Sequence, residues 1–260
     1  MKIQSVTIGA DPELFIVNSK TGKVVSSIGL IPGEKGKPYR SKDMPKGFGL
    51  EIDNILGEFN IPPAKSKKAF VDSINYMKNY IRDFVQKKNP DYDILCTSSM
   101  IVDEDQLQSE EAKLFGCSVD YNVYTEEANR KPDVPTDGLR SAGFHIHIGY
   151  NNPNVDDSLT LIRYLDYFAG LRSVLIDKDI RRRSLYGKAG CFRLCPYGCE
   201  YRVLSSHFLS SDELIGDVYD WVTNAIYAYN NDFIIPVSAR DIQKAINNSD
   251  VVLAKKLLKV

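Results

Sequence analysis

The stretch Leu139-Arg-Ser-Ala-Gly-Phe-His-Ile-His-Ile-Gly-Tyr150 alternates in character, with Phe144, Ile146 and Ile148 on one side and Gly143, His145, His147 and Gly149 on the other. A period of two predicts a strand over 139–150 with one face in a core. Its second face carries two of the three histidines in the chain, with glycines on either side that permit close approach of a ligand. The same search for polar pairs at i and i+2 finds Asp11 with Glu13, Glu51 with Asp53, and Glu200 with Arg202, while Glu58 adds a carboxylate on the hairpin next to Glu51. If these strands share one sheet, a single face gathers up to six carboxylates, two imidazoles and an arginine. Any one such pair is also what the solvated face of a hairpin shows. The conjunction on four strands is what points to a site.

Around these strands the chain reads as α+β. Residues 6–17 and 24–28 form a hairpin, 50–53 and 55–61 a second one, and 92–97, 117–124 and 200–204 further strands. Ser66 caps a helix running to about 88, with Phe70, Ile74, Met77, Ile81 and Phe84 on one face. An acidic helical segment is expected over 104–114 and a long helix over 156–177. From about 211 onward only helices are expected, the first opened by Ser211 and the later ones capped by Ser238 and Ser249. Between 29 and 49 lies a Gly-, Pro- and Lys-rich loop without periodicity, of a length that is usually functional or disordered. The expected architecture is a mostly antiparallel curved sheet with helices packed on one face, in a single domain over 1–260.

Composition narrows the function classes. The 260 residues carry 33 Lys+Arg against 34 Asp+Glu, a formal charge of −1, and are 43% hydrophobic. Such a balance argues against coating nucleic acid or an anionic membrane. No segment approaches the ~18 apolar residues of a membrane span, and Asp11 and Glu13 interrupt any signal-like start, so a cytoplasmic location is expected. The five cysteines, at 96, 117, 191, 195 and 199, are odd in number and read as reduced thiols. No P-loop, G-x-G-x-x-G, G-x-S-x-G or H-E-x-x-H occurs. Cys191, Cys195 and Cys199 have the spacing of neither a zinc ribbon nor an iron–sulfur run.

A face this rich in carboxylate repels itself unless cations sit in it. Carboxylates with one or two imidazoles suit Mg²⁺ or Mn²⁺, which commonly bridge to substrate phosphates. Arg140, Arg181 to Arg183, Lys188, Arg193 and Arg202 are the available donors for those phosphates.

Four motifs together resemble a known family: Gly9-Ala-Asp-Pro-Glu-Leu-Phe15, Glu51-x-Asp-x4-Glu58-x-Asn-Ile-Pro-Pro63, Arg140-Ser-Ala-Gly-Phe-His-Ile-His147, and Pro196-Tyr-Gly-Cys-Glu-Tyr-Arg202. The chain is similar to the phage-type carboxylate–amine ligases (COOH·amine ligase type 2, amidoligases) of the glutamine synthetase and glutamate–cysteine ligase superfamily. The resemblance runs from the first strand to about residue 206. It implies a glutamine synthetase-like catalytic domain using ATP and Mg²⁺, with Mn²⁺ as a substitute. Metal ligands would be Asp11, Glu13, Glu51, Glu58, His145 and Glu200. His147, Arg140, Arg181, Arg183 and Lys188 would bind the nucleotide, Arg202 and Arg193 would neutralise the transferred phosphoryl group, and Asp53 would receive the proton of the amine. The substrates implied are a carboxylate and an amine, free or in a peptide, with nucleic acid entering only as a modified base and an oligomer left open. If encoded by a phage, the protein would act in the host cytoplasm, with the 29–49 loop closing over the acyl phosphate. The alternatives are a different metal-dependent enzyme, hydrolase or oxygenase, built on His145 and His147, and a non-catalytic binding protein on the same fold.

Overall fold

The twelve residues of β1 (Thr7–Asn18) are long enough to pair with different partners along their two halves. The computed structural model describes residues 2–113, 119–130, 132–133, 135 and 137–260. After β1 come β2 (Val24–Val25), β3 (Gly49–Asp53), β4 (Leu56–Asn60), β5 (Tyr92–Leu95), β6 (Ser99–Ile101), β7 (Tyr121–Asn122), β8 (Leu139–Ser141), β9 (Phe144–Gly149), β10 (Cys191–Cys195) and β11 (Gly198–Tyr201). The α-helices are α1 (Lys67–Lys88), α2 (Glu110–Lys113), α3 (Val155–Leu165), α4 (Leu171–Ile176), α5 (Ile180–Leu185), α6 (Asp212–Asn230), α7 (Ala239–Asn247) and α8 (Val251–Leu258).

The main sheet runs β3-β4-β1-β9-β11-β10-β7, with β2 and β5 also paired to β1 and every pairing antiparallel. The fold is therefore α+β on a large antiparallel sheet. Residues 7–12 of β1 pair with β9, and residues 15–18 pair with β5. One face of the sheet presents Ile8, Ala10, Phe144, Ile146, Ile148, Cys199 and Tyr201, all buried. Helices α1, α3 and α6 lie in the same hydrophobic cluster, which takes residues from Ile3 to Leu257. Helix α1 starts where expected because the Ser66 side chain accepts from the Ala69 N–H, and Lys87 and Lys88 complement its C-terminal end. Its buried stripe is Phe70, Ile74, Met77, Ile81 and Val85, so Val85 takes the fully buried place expected of Phe84. Among the described residues no helix is long and apolar enough to cross a membrane.

Several local expectations need correction. The single strand expected over 139–150 is two strands: β8 pairs with β6 in a separate ribbon, and β9 enters the main sheet. Between them the Ala142 N–H turns to Ser98 O, and Gly143 accepts the Glu13 N–H at its carbonyl while its own N–H donates to the Glu13 carboxylate, so the chain changes sheets at a small-residue step. The segment before Glu200, where no strand was expected, is the strand β10, which forms a hairpin with β11 through Pro196–Tyr197. The helix expected over 156–177 is interrupted by a π-helical turn, Asp166–Gly170. Asp166 there accepts from the hydroxyls of Tyr201 and Tyr124, and its burial raises its pKa to about 7. The run around Arg181, to which no element was assigned, forms the short helix α5. The 104–114 expectation resolves into a 3₁₀ turn (Glu104–Leu107) and α2, and of the strand expected over 117–124 only β7 is described. Cys117 lies outside the described residues.

Phe144 is fully buried at the centre of the sheet and packs on Phe70 of α1, with ring centroids 6.2 Å apart. Phe144→Ala is expected to lower the free energy of unfolding by about 3–5 kcal/mol, read as a shift in the urea midpoint with an unchanged slope.

Candidate functional site

The strand register assembles the polar face. Glu51, Glu58 and Glu13 stand side by side on β3, β4 and β1. Asp11 faces His145 across β1 and β9, while Glu200 faces His147 across β11 and β9, and Arg193 faces Glu200 from β10. Successive same-face residues therefore step along one axis. β1 contributes Gly9, Asp11 and Glu13; β9 contributes His147 and His145, with Gly143 just before it; β4 contributes Asn60 and Glu58; and Glu200 of β11 is followed by Arg202. Asp11, Glu13, Glu51, Asp53, Glu58, His145, Glu200 and Arg202 are all buried.

Local contacts hold these side chains in place. The Glu13 carboxylate accepts the Gly143 N–H at 2.6 Å. The His145 ring lies over that same glycine, where an added Cβ would stand 2.5 Å from Nε2, so any larger residue at 143 would push the imidazole out of place. His145 Nδ1 is 3.5 Å from Asp11 and 3.7 Å from Glu200. His147 bridges Asp11, at 3.0 Å from Nε2, and the Tyr197 hydroxyl, at 2.6 Å from Nδ1. Burial opposes charge on His147, but the Asp11 carboxylate prevails and raises its pKa to about 10. Burial likewise opposes ionisation of Asp11, and the His147 charge with hydrogen bonds from both imidazoles holds its carboxyl far below the usual range. Glu200 is gripped by Arg193, with Nε–Oε2 at 2.8 Å, and by the Arg202 guanidinium. Despite burial, Arg202 keeps the Glu200 carboxyl below its ordinary value.

The carboxylates beyond Asp11 behave in the opposite way. Burial, then the charges of Asp11 and Glu13, push Glu58 well above the carboxylate range. Burial and Glu13 raise Asp53 although Lys35 opposes them, and burial raises Glu51 against a hydrogen bond from Gly36. Lys35 and Gly36 belong to the 29–49 segment. The Lys35 Nζ is 2.6 Å from Asp53, and the Gly36 N–H donates to Glu51 at 2.9 Å.

Two three-ligand groups emerge on this face: Asp11 with His145 and Glu200, and Glu13 with Asp53 and Glu58. Asp53, expected as a proton acceptor, stands in the second group, where Glu51 was expected. Glu51 lies beside it, turned to Gly36. A third group, His147 with Cys195 and Glu200, shares Glu200 with the first. Cys191 and Cys195 fall on the Arg193 face of β10, whereas Cys199 alternates with Glu200 and faces the core, so the three cysteines do not converge.

The basic residues divide. Arg193 and Arg202 reach the face. Arg182 and Arg140 line a narrow cavity of about 40 Å³ next to Glu13, Asp53 and His145. Arg181 turns outward to Asp179, at 3.0 Å. Arg183 points into the interior, donating to Gly187 O and to Ser173 Oγ, and Lys188 is exposed. Neighbours on a helix are about 100° apart, so α5 sends one arginine of the run toward the cleft. The sequence reading missed Lys35, Tyr197, Asn54 and Tyr186. Of these, Tyr197 carried a signal, as the turn residue of an alternating Cys191-to-Tyr201 hairpin. At the opposite end of the acidic centre, Thr7, Gly9, Asn60, His147, Gly149 and Tyr197 surround a larger cavity of about 320 Å³.

A carboxyl whose pKa is raised on folding costs stability as pH climbs above its unfolded value, here near 4.5, and the loss is complete above the folded value. Without divalent cations, thermal stability should therefore fall as pH rises from 4.5 toward neutrality. Glu58→Gln removes part of that fall. At pH 7 we expect it to raise stability by on the order of 1 kcal/mol, or roughly 2–4 °C in a scan.

No curated protein matches the chain. Residues 134–259 match the model of a family described as Phage phiEco32-like COOH.NH2 ligase-type 2. The matched part contains β9, α5, β10 and β11, and with them His145, His147, Arg193, Glu200 and Arg202. Over this stretch, just under half of the 260 residues and the part that supplies the histidines and arginines of the polar face, the chain is similar to the phage-type carboxylate–amine ligases.

Proposed function

We propose that the protein joins a carboxylate to an amine at this face, using ATP and Mg²⁺. The observation that carries the reading is the pair of adjacent three-ligand groups on one sheet face, Asp11–His145–Glu200 and Glu13–Asp53–Glu58, with Glu51 alongside. Each mixes carboxylate oxygens with at most one imidazole, a donor set that fits Mg²⁺ or Mn²⁺ better than a softer ion. The two imidazoles do not fall in one three-ligand group among the described residues. That favours the carboxylate-rich ligase reading over a hydrolase or oxygenase built on a His pair. Mg²⁺-bound ATP would supply a phosphoryl group that activates the donor carboxylate as an acyl phosphate, from which an amine displaces phosphate.

The chain's own residues have separable parts in this. Glu13 is pinned by the Gly143 N–H and Asp11 by two imidazoles, so the oxygens that would hold cations are positioned in advance. His147, kept cationic by Asp11, faces the larger cavity and is suited to a phosphate oxygen. That cavity, with Tyr197 on its wall and glycines at 9 and 149, has room for a nucleobase. The narrow cavity at the other end, walled by Arg140, Arg182 and Arg202, suits the carboxylate end of the acyl donor. Arg202 and Arg193 meet between them, where charge on a transferred phosphoryl group would have to be neutralised.

The test is a screen of carboxylate and amine pairs for Mg²⁺-dependent release of phosphate and ADP, with mass spectrometry for a product one water lighter than the pair. A productive pair is expected, and Glu13→Ala should cut its turnover by on the order of 100-fold. Release unchanged in Glu13→Ala would remove this face from the reaction.

A further inference from the structure

The segment between β2 and β3 does more than connect them. It is tied to the sheet by a two-way bridge between Tyr39 and Leu50, at 2.7 and 3.0 Å, and Gly33 packs so closely that an added Cβ would stand 2.3 Å from Leu50 O. A tight turn closed between Glu34 and Lys37 then carries Lys35 and Gly36 at its tip, with Gly36 at a φ of 76°. Both tip residues touch the acidic face. Lys35 is paired with Asp53, a member of the Glu13–Asp53–Glu58 group, and the Gly36 N–H is on Glu51. The Asp53 carboxylate is 4% exposed, while the Lys35 side chain is 43% exposed, so the ammonium reaches the group from the solvent side.

We propose that Lys35 is a tethered counter-ion that occupies the cation position of the Glu13–Asp53–Glu58 group until a divalent ion takes its place, so that metal binding releases the strap tip. This rests on the reading of that group as a metal position. An ammonium and a divalent ion at the same carboxylates repel each other, and the group is too small to hold both without cost. The ammonium relieves the mutual repulsion of Glu13, Asp53, Glu58 and Glu51 in the metal-free protein. Its release would free Gly36 from Glu51 and open the solvent side of the face, coupling entry of substrate to the presence of metal. The strap thereby sets an order of events at the site, with the divalent ion first.

The experiment uses Mn²⁺ alone as the probe, with no nucleotide, on the full chain and on Lys35→Met. Isothermal titration and the loss of the free Mn²⁺ electron spin resonance signal give the affinity. Lys35→Met is expected to bind Mn²⁺ roughly tenfold more tightly than the parent chain, and to melt at a lower temperature than the parent when both are metal-free. In the parent chain, added Mn²⁺ should speed tryptic cleavage after Lys35, the Lys37–Pro38 bond being resistant to trypsin. Equal or weaker Mn²⁺ binding in Lys35→Met, with the parent binding normally, overturns the tethered counter-ion and leaves the metal position standing. Failure of both proteins to bind Mn²⁺ removes the metal position and the counter-ion with it. Strap cleavage that Mn²⁺ slows would show that the tip closes on the ion, and would overturn release.

Discussion

The antiparallel pairing of β1 with β9 is the constraint on which the rest depends. It sets Asp11 opposite His145 and Gly9 opposite His147, and because both strands alternate strictly, it buries Ile8, Ala10, Ile146 and Ile148 in the same step. A slip of one residue would turn the carboxylates into the core and the isoleucines to the cleft. The apolar face, packed under α1, α3 and α6, thus enforces the register that gathers the polar groups. The stability of the core and the geometry of the site come from one set of backbone hydrogen bonds.

That arrangement accepts an electrostatic cost. Burying Glu58, Asp53 and Glu51 side by side raises all three carboxyls, against the ordinary preference for unlike charges on neighbouring strands. The cost is partly offset from three directions: the cationic His147 at Asp11, Arg193 and Arg202 at Glu200, and Lys35 at Asp53. The result is an axis of changing character. It runs from an aromatic and glycine-lined cavity, through an acidic centre, to a narrow cavity walled by arginines. The proposed joining of a carboxylate to an amine with ATP and Mg²⁺ would draw on all three environments.

How far the sequence could be read depended on how local each signal was. The capped α1 and the polar pairs at i and i+2 were legible because each is set within a few residues. The break at Ala142–Gly143 was not, since it arises from Ser98 and Glu13, more than forty residues away. The hairpin of β10 and β11 was hidden by the glycines and cysteines that made it look like a loop. The arginine run could not be resolved into one residue facing the cleft, one outside and one inside before its helical phase was known. Lys35 was visible only as part of a basic loop, because its partner Asp53 is brought to it by the closure of that loop.

The sequence by itself determined which residue types share a face on each strand, since a period of two follows from the backbone and needs no partner. It therefore specified an acidic, histidine-bearing face and an apolar one on an antiparallel sheet. Only the tertiary structure decided which strands are neighbours and in what register. That in turn decided that Asp53 joins Glu13 and Glu58, that Arg182 lines the narrow cavity while the equally buried Arg183 turns to Ser173, and that Lys35 meets the acidic centre. Those outcomes depend on distances between segments far apart in the chain, and such distances are set by packing rather than by local preference.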